Sequence, residues 1–167
     1  RLARMAVVDR LLEATRRAED RHFWFRGFSA FVHPMLALAV AGIESPRILD
    51  AGCGTGRMLG ELGSLGRCVA LDVNATGLSF AVSHGHRSLA RGTVTRLPFP
   101  NGAFDLVTSF DVLYALEESD ERCAIAEMVR VLKPEGRLIV NVAAMPILRG
   151  HHSVLAREVR RYTSGML

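Results

Sequence analysis

Ile48-Leu49-Asp50-Ala51-Gly52-Cys53-Gly54-Thr55-Gly56-Arg57-Met58-Leu59-Gly60, residues 48–60, is the stretch whose reading decides the fold. The apolar residues up to Leu49 suit a central parallel strand, Asp50 closes it, and Gly52, Gly54 and Gly56 follow at alternate positions. Glycine at these positions lets the backbone approach a ligand closely. A helix predicted to begin near Thr55 or Arg57 would present free N–H groups at its N-terminus, which suits a polar, electron-rich ligand.

Outward from this turn, short apolar runs alternate with helical periods. This is the pattern of an α/β, Rossmann-like, doubly wound parallel sheet. The strands are expected at 47–50, 67–72, 88–93, 104–110 and 137–143, with helices at 57–65, 75–84 and 119–132 between them. In the last helix Cys123, Ala126, Val129 and Leu132 are read as one apolar face, and Lys133-Pro134-Glu135-Gly136 turns the chain into the fifth strand. Residues 1–46 form a helical lid segment ahead of a core at 47–167. Leu2, Met5, Val8 and Leu12 recur at helical spacing over 2–18, and a second helix is expected over 28–41, kinked or begun at Pro34. Between them lies His22-Phe23-Trp24-Phe25-Arg26. Its Phe23 and Phe25 either staple the N-terminal helices to the core or close over a ligand.

With 167 residues, 49% hydrophobic and 23% charged, the chain has the size and composition of a single globular domain. Met35 to Ile43, the longest apolar stretch, falls short of the roughly 20 residues of a membrane span. The net charge of +4 rests almost wholly on arginine and gathers at residues 1–26 and 149–161. Without a basic run or interleaved aromatics this reads as a solvated rim, and no nucleic-acid partner is expected. Cys53, Cys68 and Cys123 are odd in number and far apart, which suits a reducing, cytoplasmic setting and neither disulfides nor a metal site.

A dinucleotide turn spaced G-x-G-x-x-G would place glycine at 57, where this chain has Arg57. Asp72 ends the second strand 22 positions after Asp50, where a carboxylate can accept hydrogen bonds from both hydroxyls of a ribose. A nucleoside ligand follows. In their order, ILDAGCGTG, ALDVN, LPFPNGAFDLVTS and VLKPEGRLIV over 47–143 resemble the motifs of the class I S-adenosylmethionine-dependent methyltransferases. HFWFR and the late RRYT (160–163) further resemble bacterial small-molecule or lipid-type members of the broad type 11 and 12 groups.

The resemblance implies S-adenosylmethionine as cofactor. Gly52, Cys53 and Gly54 would form the backbone platform beside its methionine part, and Asp50 would orient its amino group. Asp72 would bind the ribose, Val73 would lie on the adenine, and Phe110 would offer a carbonyl to the amino group. Arg26 would pair with the cofactor carboxylate as a two-pronged donor. Where many relatives carry an acid that contacts the adenine amino group, this chain has Thr93, with the Val94 amide beside it. A charged acceptor is worth about 1.5–3 kcal/mol against roughly 1 for a neutral one. On the acceptor side the candidates are Asp111, Tyr114, His151, His152, Arg160, Arg161 and Tyr162. The segment after strand four lacks the Asn-Pro-Pro-aromatic signature of nucleobase amino methylation.

The expected function is methyl transfer to a small-molecule or lipid-type acceptor. The alternatives are a cofactor-binding module of the same fold with lost or altered catalysis, and a nicotinamide-dependent oxidoreductase. Members of the family complete the sheet with two further strands after the fifth. This chain reaches Leu167 before either could appear, so a five-stranded, incomplete sheet with an unpaired edge is expected.

Overall fold

A computed structural model describes residues 2–145, 147, 158–163 and 165–166. The chain runs α1 (Leu2–Ala18), α2 (Phe23–Ala39), β1 (Arg47–Ala51), α3 (Leu59–Leu65), β2 (Arg67–Asp72), α4 (Ala75–Ser83), β3 (Leu89–Arg91) and β4 (Phe104–Phe110). A short 3-10 turn (Leu113–Ala115), α5 (Glu118–Val131) and β5 (Leu132–Asn141) complete it. The strands form one five-stranded sheet in the order β3-β2-β1-β4-β5, with every pairing parallel. The order reverses at β1, so the crevice between the C-terminal ends of β1 and β4 is the switch point where open α/β sheets bind ligands.

Alternation along the strands splits the core into two layers. Ile48, Ala70 and Leu106 face α2, α3 and α4, where they meet Val32, Leu36, Leu59, Leu62 and Ala81. Their neighbours Leu49, Leu71 and Val107 face the other way, onto Leu113 and the α5 side chains Ala124, Met128 and Val131. A one-residue step along a strand changes sheet face, which is why nearly continuous apolar runs mark these central strands.

The predicted strands 67–72 and 104–110 coincide with β2 and β4, whereas β3 is only three residues long. The fifth strand begins early. Between the partners Phe104↔Leu132 and Leu106↔Arg137 the register advances two places on β4 and five on β5, so the Lys133–Gly136 turn is a bulge inside the strand, with Glu135 at φ 63°. Among the described residues no further strand follows. Ala144 and Tyr162 form a single parallel bridge.

Two helix readings need correction. α2 starts at Phe23, capped by His22, whose Nδ1 accepts the Trp24 amide at 3.3 Å, and Pro34 lies inside it on the exposed side. Residues two apart on a helix point to different sides, so Phe23 and Phe25 cannot both act as staples. Phe23 is exposed, and half-buried Phe25 and Phe28 take the inner positions. On α5 the buried face is Glu121, Ala124, Met128 and Val131, while Cys123, Ala126 and Val129 point to solvent. Both stripes have helical spacing, and the sheet selects the other one.

Arg130 explains the LPFPNG stretch. Its guanidinium donates to the Leu97 and Phe99 carbonyls at 3.0 and 2.9 Å and grips Glu127, which accepts the Leu97 amide at 2.7 Å. The charge-assisted bonds from Arg130 are the main cause holding the Glu127 carboxyl down at about 2.

Candidate active site

The glycine turn is built on itself. The Gly52 and Cys53 amides donate to the Leu71 carbonyl at 2.8 and 3.1 Å, and the Gly56 amide donates to Cys53 at 2.9 Å. Asp72 accepts the Gly54 amide on one oxygen at 2.8 Å and the Asn74 amide on the other at 2.7 Å. The expectation of free helix-terminal N–H groups at Thr55 or Arg57 is therefore corrected, because α3 begins only at Leu59 and is seven residues long. The turn's hydrogen bonds are spent on fixing its own shape and tying it to the end of β2. Gly52 shows why glycine is needed: its φ is 94°, and a Cβ there would lie 2.3 Å from a methyl of Val112.

Asp50 ends up deeper than a surface ligand residue. It is 2% exposed, in register with Thr108 of β4, whose hydroxyl donates to it at 2.8 Å. Burial raises its carboxyl to about 7, against the Thr108 bond that lowers it, and Asp72 adds to the rise. Beside it the Ser109 hydroxyl donates to the Ala51 carbonyl at 2.8 Å. Thr108 and Ser109 make the switch point polar, and sequence reasoning passed over them. The signal was there, since two hydroxyl residues interrupt the apolar run of β4 opposite Asp50.

Cys53 is no nucleophile. Burial first, then the charges of Asp50 and Asp72, push its thiol well above the ordinary range. Val73 is 66% exposed beyond Asp72, free to lie on a flat ring, whereas Val94 is buried in the core and offers only backbone. The Thr93 hydroxyl is engaged with that of Thr95 at 2.8 Å and accepts the Thr95 amide at 3.2 Å. Phe110 ends β4 with its ring edge-on to Phe28 at 5.2 Å. Arg26 is exposed on α2. The arginine that joins α2 to the turn is Arg57, which donates to the Phe25 carbonyl at 2.7 Å and the Ser29 hydroxyl at 2.9 Å.

At the C-terminal mouth of β4, Asp111 has φ 58°, a left-handed conformation uncommon outside glycine. The Tyr114 carbonyl accepts the Val159 and Arg160 amides at 2.8 and 3.3 Å, which brings the late RRYT segment to this mouth. Burial chiefly, with Asp111 and Glu158 nearby, keeps the Tyr114 phenol protonated far above neutral pH. Arg161 pairs with Glu158 at 2.7 Å and Arg160 with Glu121 at 3.0 Å. Tyr162 is buried in the α5 layer, so Arg160 and Tyr162 fasten the segment rather than face a ligand. His151 and His152 lie outside the described residues. Among the described residues no group of His, Cys, Asp and Glu could hold a metal ion, and no helix is long and apolar enough to cross a membrane.

This arrangement, with a glycine turn after β1, a carboxylate closing β2 and a polar switch point, defines a Rossmann-like fold of the class I methyltransferase type. The family model described as the methyltransferase domain matches residues 49–140, and the chain belongs to that family. It is 32% identical over 142 residues to the ubiquinone/menaquinone biosynthesis C-methyltransferase UbiE of Pseudomonas paraeruginosa, covering 78% of this chain and 53% of that protein. The chain spans about half the length of the curated relatives it matches. The S-adenosylmethionine dependent methyltransferase from Mesorhizobium loti shares the fold at TM-score 0.55 and 23% identity, over 66% of this chain and 53% of that one. The [4+2]-cyclase SpnF shares it at 0.61 and 24%, over 75% and 49%.

Proposed function

We propose that the protein is an S-adenosylmethionine-dependent methyltransferase acting on a small-molecule or lipid-type acceptor in a reducing, cytoplasmic setting, with a carbon on a quinone-like ring as the preferred target class. The observation that carries the cofactor reading is Asp72. Its carboxylate closes β2 against the glycine turn, with exposed Val73 next to it, and an acceptor beside an apolar surface fits the hydroxyls of a ribose followed by a flat base. Asp50 fits as well, since a cation beside a carboxyl raised to about 7 would restore its charge. When bound, the cofactor supplies an activated methyl group, so the chain's task is positioning.

On this reading Gly52, Cys53 and Gly54 form the platform, and Asp72, Val73, Phe110 and the Val94 backbone hold the nucleoside and amino group. Arg26 or Arg57 serves the carboxylate. Residues 1–46 act as the lid. Asp111 stands at the acceptor side, and Tyr114, held protonated, is placed to donate a hydrogen bond. The quinone-like target is taken from the name of the UbiE relative.

Isothermal titration with S-adenosylhomocysteine tests the cofactor reading. The chain should bind, and Asp72→Ala should weaken binding at least about tenfold, the loss of a charged hydrogen-bond acceptor. Binding that is absent, or indifferent to Asp72, refutes it. A second reading, a cofactor-binding module with altered catalysis, is favoured by one observation: the Thr93 hydroxyl, in the place of the adenine-binding acid, is already paired with Thr95. Fold alone does not fix the reaction, as the cyclase shows. Methyl-labelled cofactor offered with a demethylated quinone separates the two readings, because only an enzyme transfers the label.

A further inference from the structure

The helix α1 lies across the turn on which the cofactor reading depends. Midway along it, Asp9 accepts the Asn74 side-chain amide at 3.1 Å, and Asn74 is the residue whose backbone amide holds Asp72. Further along, a methyl of Leu12 stands 3.9 Å from the point where a side chain on Gly54 would begin. Just past the C-terminal end of α1 the Thr55 hydroxyl donates to Glu19 at 2.5 Å. One helix is thus fastened to both sides of the proposed site, with an apolar side chain set down on the platform between them.

Glu19 is the unusual member. It is 1% exposed, and a carboxylate taken out of water is unfavourable unless both oxygens find partners. One oxygen takes the Thr55 hydroxyl. The other has no hydrogen bond, with only the Arg16 guanidinium at 3.7 Å. Closure therefore leaves part of this carboxylate poorly satisfied, and opening returns it to water. Such a contact holds a helix in place without holding it permanently, as an element with two arrangements requires.

Resting on the cofactor reading above, we propose that Glu19 is the latch of an α1 gate, a positioning residue that closes the helix over the glycine turn through Thr55. Cofactor enters and leaves only while this bond is open. The closed arrangement is the one described here, so weakening the latch raises the open fraction and, with it, the apparent association rate.

The test uses the whole chain and its single tryptophan, Trp24, which lies at the start of α2 just beyond the latch and reports on this corner. Stopped-flow mixing with S-adenosylhomocysteine should show Glu19→Ala associating and dissociating about tenfold faster than wild type, the effect of one hydrogen bond to a charged group. Glu19→Gln keeps an oxygen for the Thr55 hydroxyl and should stay within about twofold. In parallel, hydrogen exchange on the cofactor-free proteins should quicken in peptides covering 8–18 and 52–58 of Glu19→Ala, and not in β1 or β4.

Wild-type rates in Glu19→Ala overturn the latch. So does exchange that quickens throughout the molecule, which would make Glu19 merely structural, and so does Glu19→Gln behaving like Glu19→Ala. A wild-type chain that binds no S-adenosylhomocysteine removes the cofactor reading itself, whereas unchanged rates in a chain that binds it remove only the latch.

Discussion

Asp50 is where a single residue sets the energetics of the site. Its carboxyl rises from the ordinary 3.8 to about 7, chiefly through burial. Between those values the folded chain keeps a proton that the unfolded chain releases, so stability falls as pH rises across that window and levels off above it. Three pKa units correspond to on the order of 4 kcal/mol, an upper bound for one buried group. Asp50→Asn removes the charge and keeps an oxygen for the Thr108 hydroxyl. Urea unfolding should therefore find the variant more stable by about 2 kcal/mol or more at pH 8, with the difference vanishing near pH 4. An equal difference at both pH values would show that burial does not strain this carboxyl. A central carboxylate that destabilises the fold at neutral pH is what a site kept for a cationic ligand would look like.

At the scale of elements, the glycine turn is held between strand and helix with no room to spare. Gly56 has φ 82°, and a Cβ there would lie 2.6 Å from the Cβ of Ala81 in α4. Gly56→Ala should destabilise the fold by about 1–3 kcal/mol through overpacking and left-handed strain, lowering the urea midpoint at unchanged slope. Gly60, inside α3, has nothing within 4 Å of a would-be Cβ. Gly60→Ala should accordingly be neutral or stabilising by up to about 1 kcal/mol. If the two substitutions behave alike, the contact with α4 is not what demands glycine at 56. The third glycine of this turn thus serves helix packing, the role that G-x-G-x-x-G gives to position 57.

At the scale of the whole molecule, and among the described residues, two open surfaces meet at the β5 edge of the sheet. β5 is an edge strand, and the outer side of α2 carries Phe23, Trp24, Phe31, Met35 and Leu38 in the exposed state. Met35 and Leu38 continue into a cavity of about 330 Å³ lined also by Arg137, Leu138 and Ile139 of β5. Phe31 and Leu38 are each 72% exposed, and an apolar helix face of this width favours association. The 167-residue chain should sediment faster as its concentration rises, and Phe31→Glu combined with Leu38→Glu should remove that dependence. Concentration-independent sedimentation of the unsubstituted chain would show that this face and the β5 edge remain monomeric in water.

Much of this architecture was legible from residue order alone. The positions of β2 and β4, the glycine turn and Asp72 at the end of β2 follow from local chemistry, because apolar runs, glycines and a terminal acid carry their meaning within a few positions. HFWFR marked an aromatic cluster beside the core but not its facing, since Phe25 and Phe28 turn inward only because Arg57 and Phe110 wait there. The buried face of α5 was equally hidden, as two stripes of similar hydrophobicity share that helix and only the sheet beneath it chooses. Glu19 read as one of many surface charges, and Thr108 as one more strand residue. Their roles arise from partners 36 and 58 positions away, Thr55 and Asp50. The sequence by itself determined the succession of strands and helices around the glycine turn and put Asp72 at the end of β2. Tertiary structure alone decided which polar groups are buried together, because burial and pairing across the switch point are properties of distance in space, not along the chain.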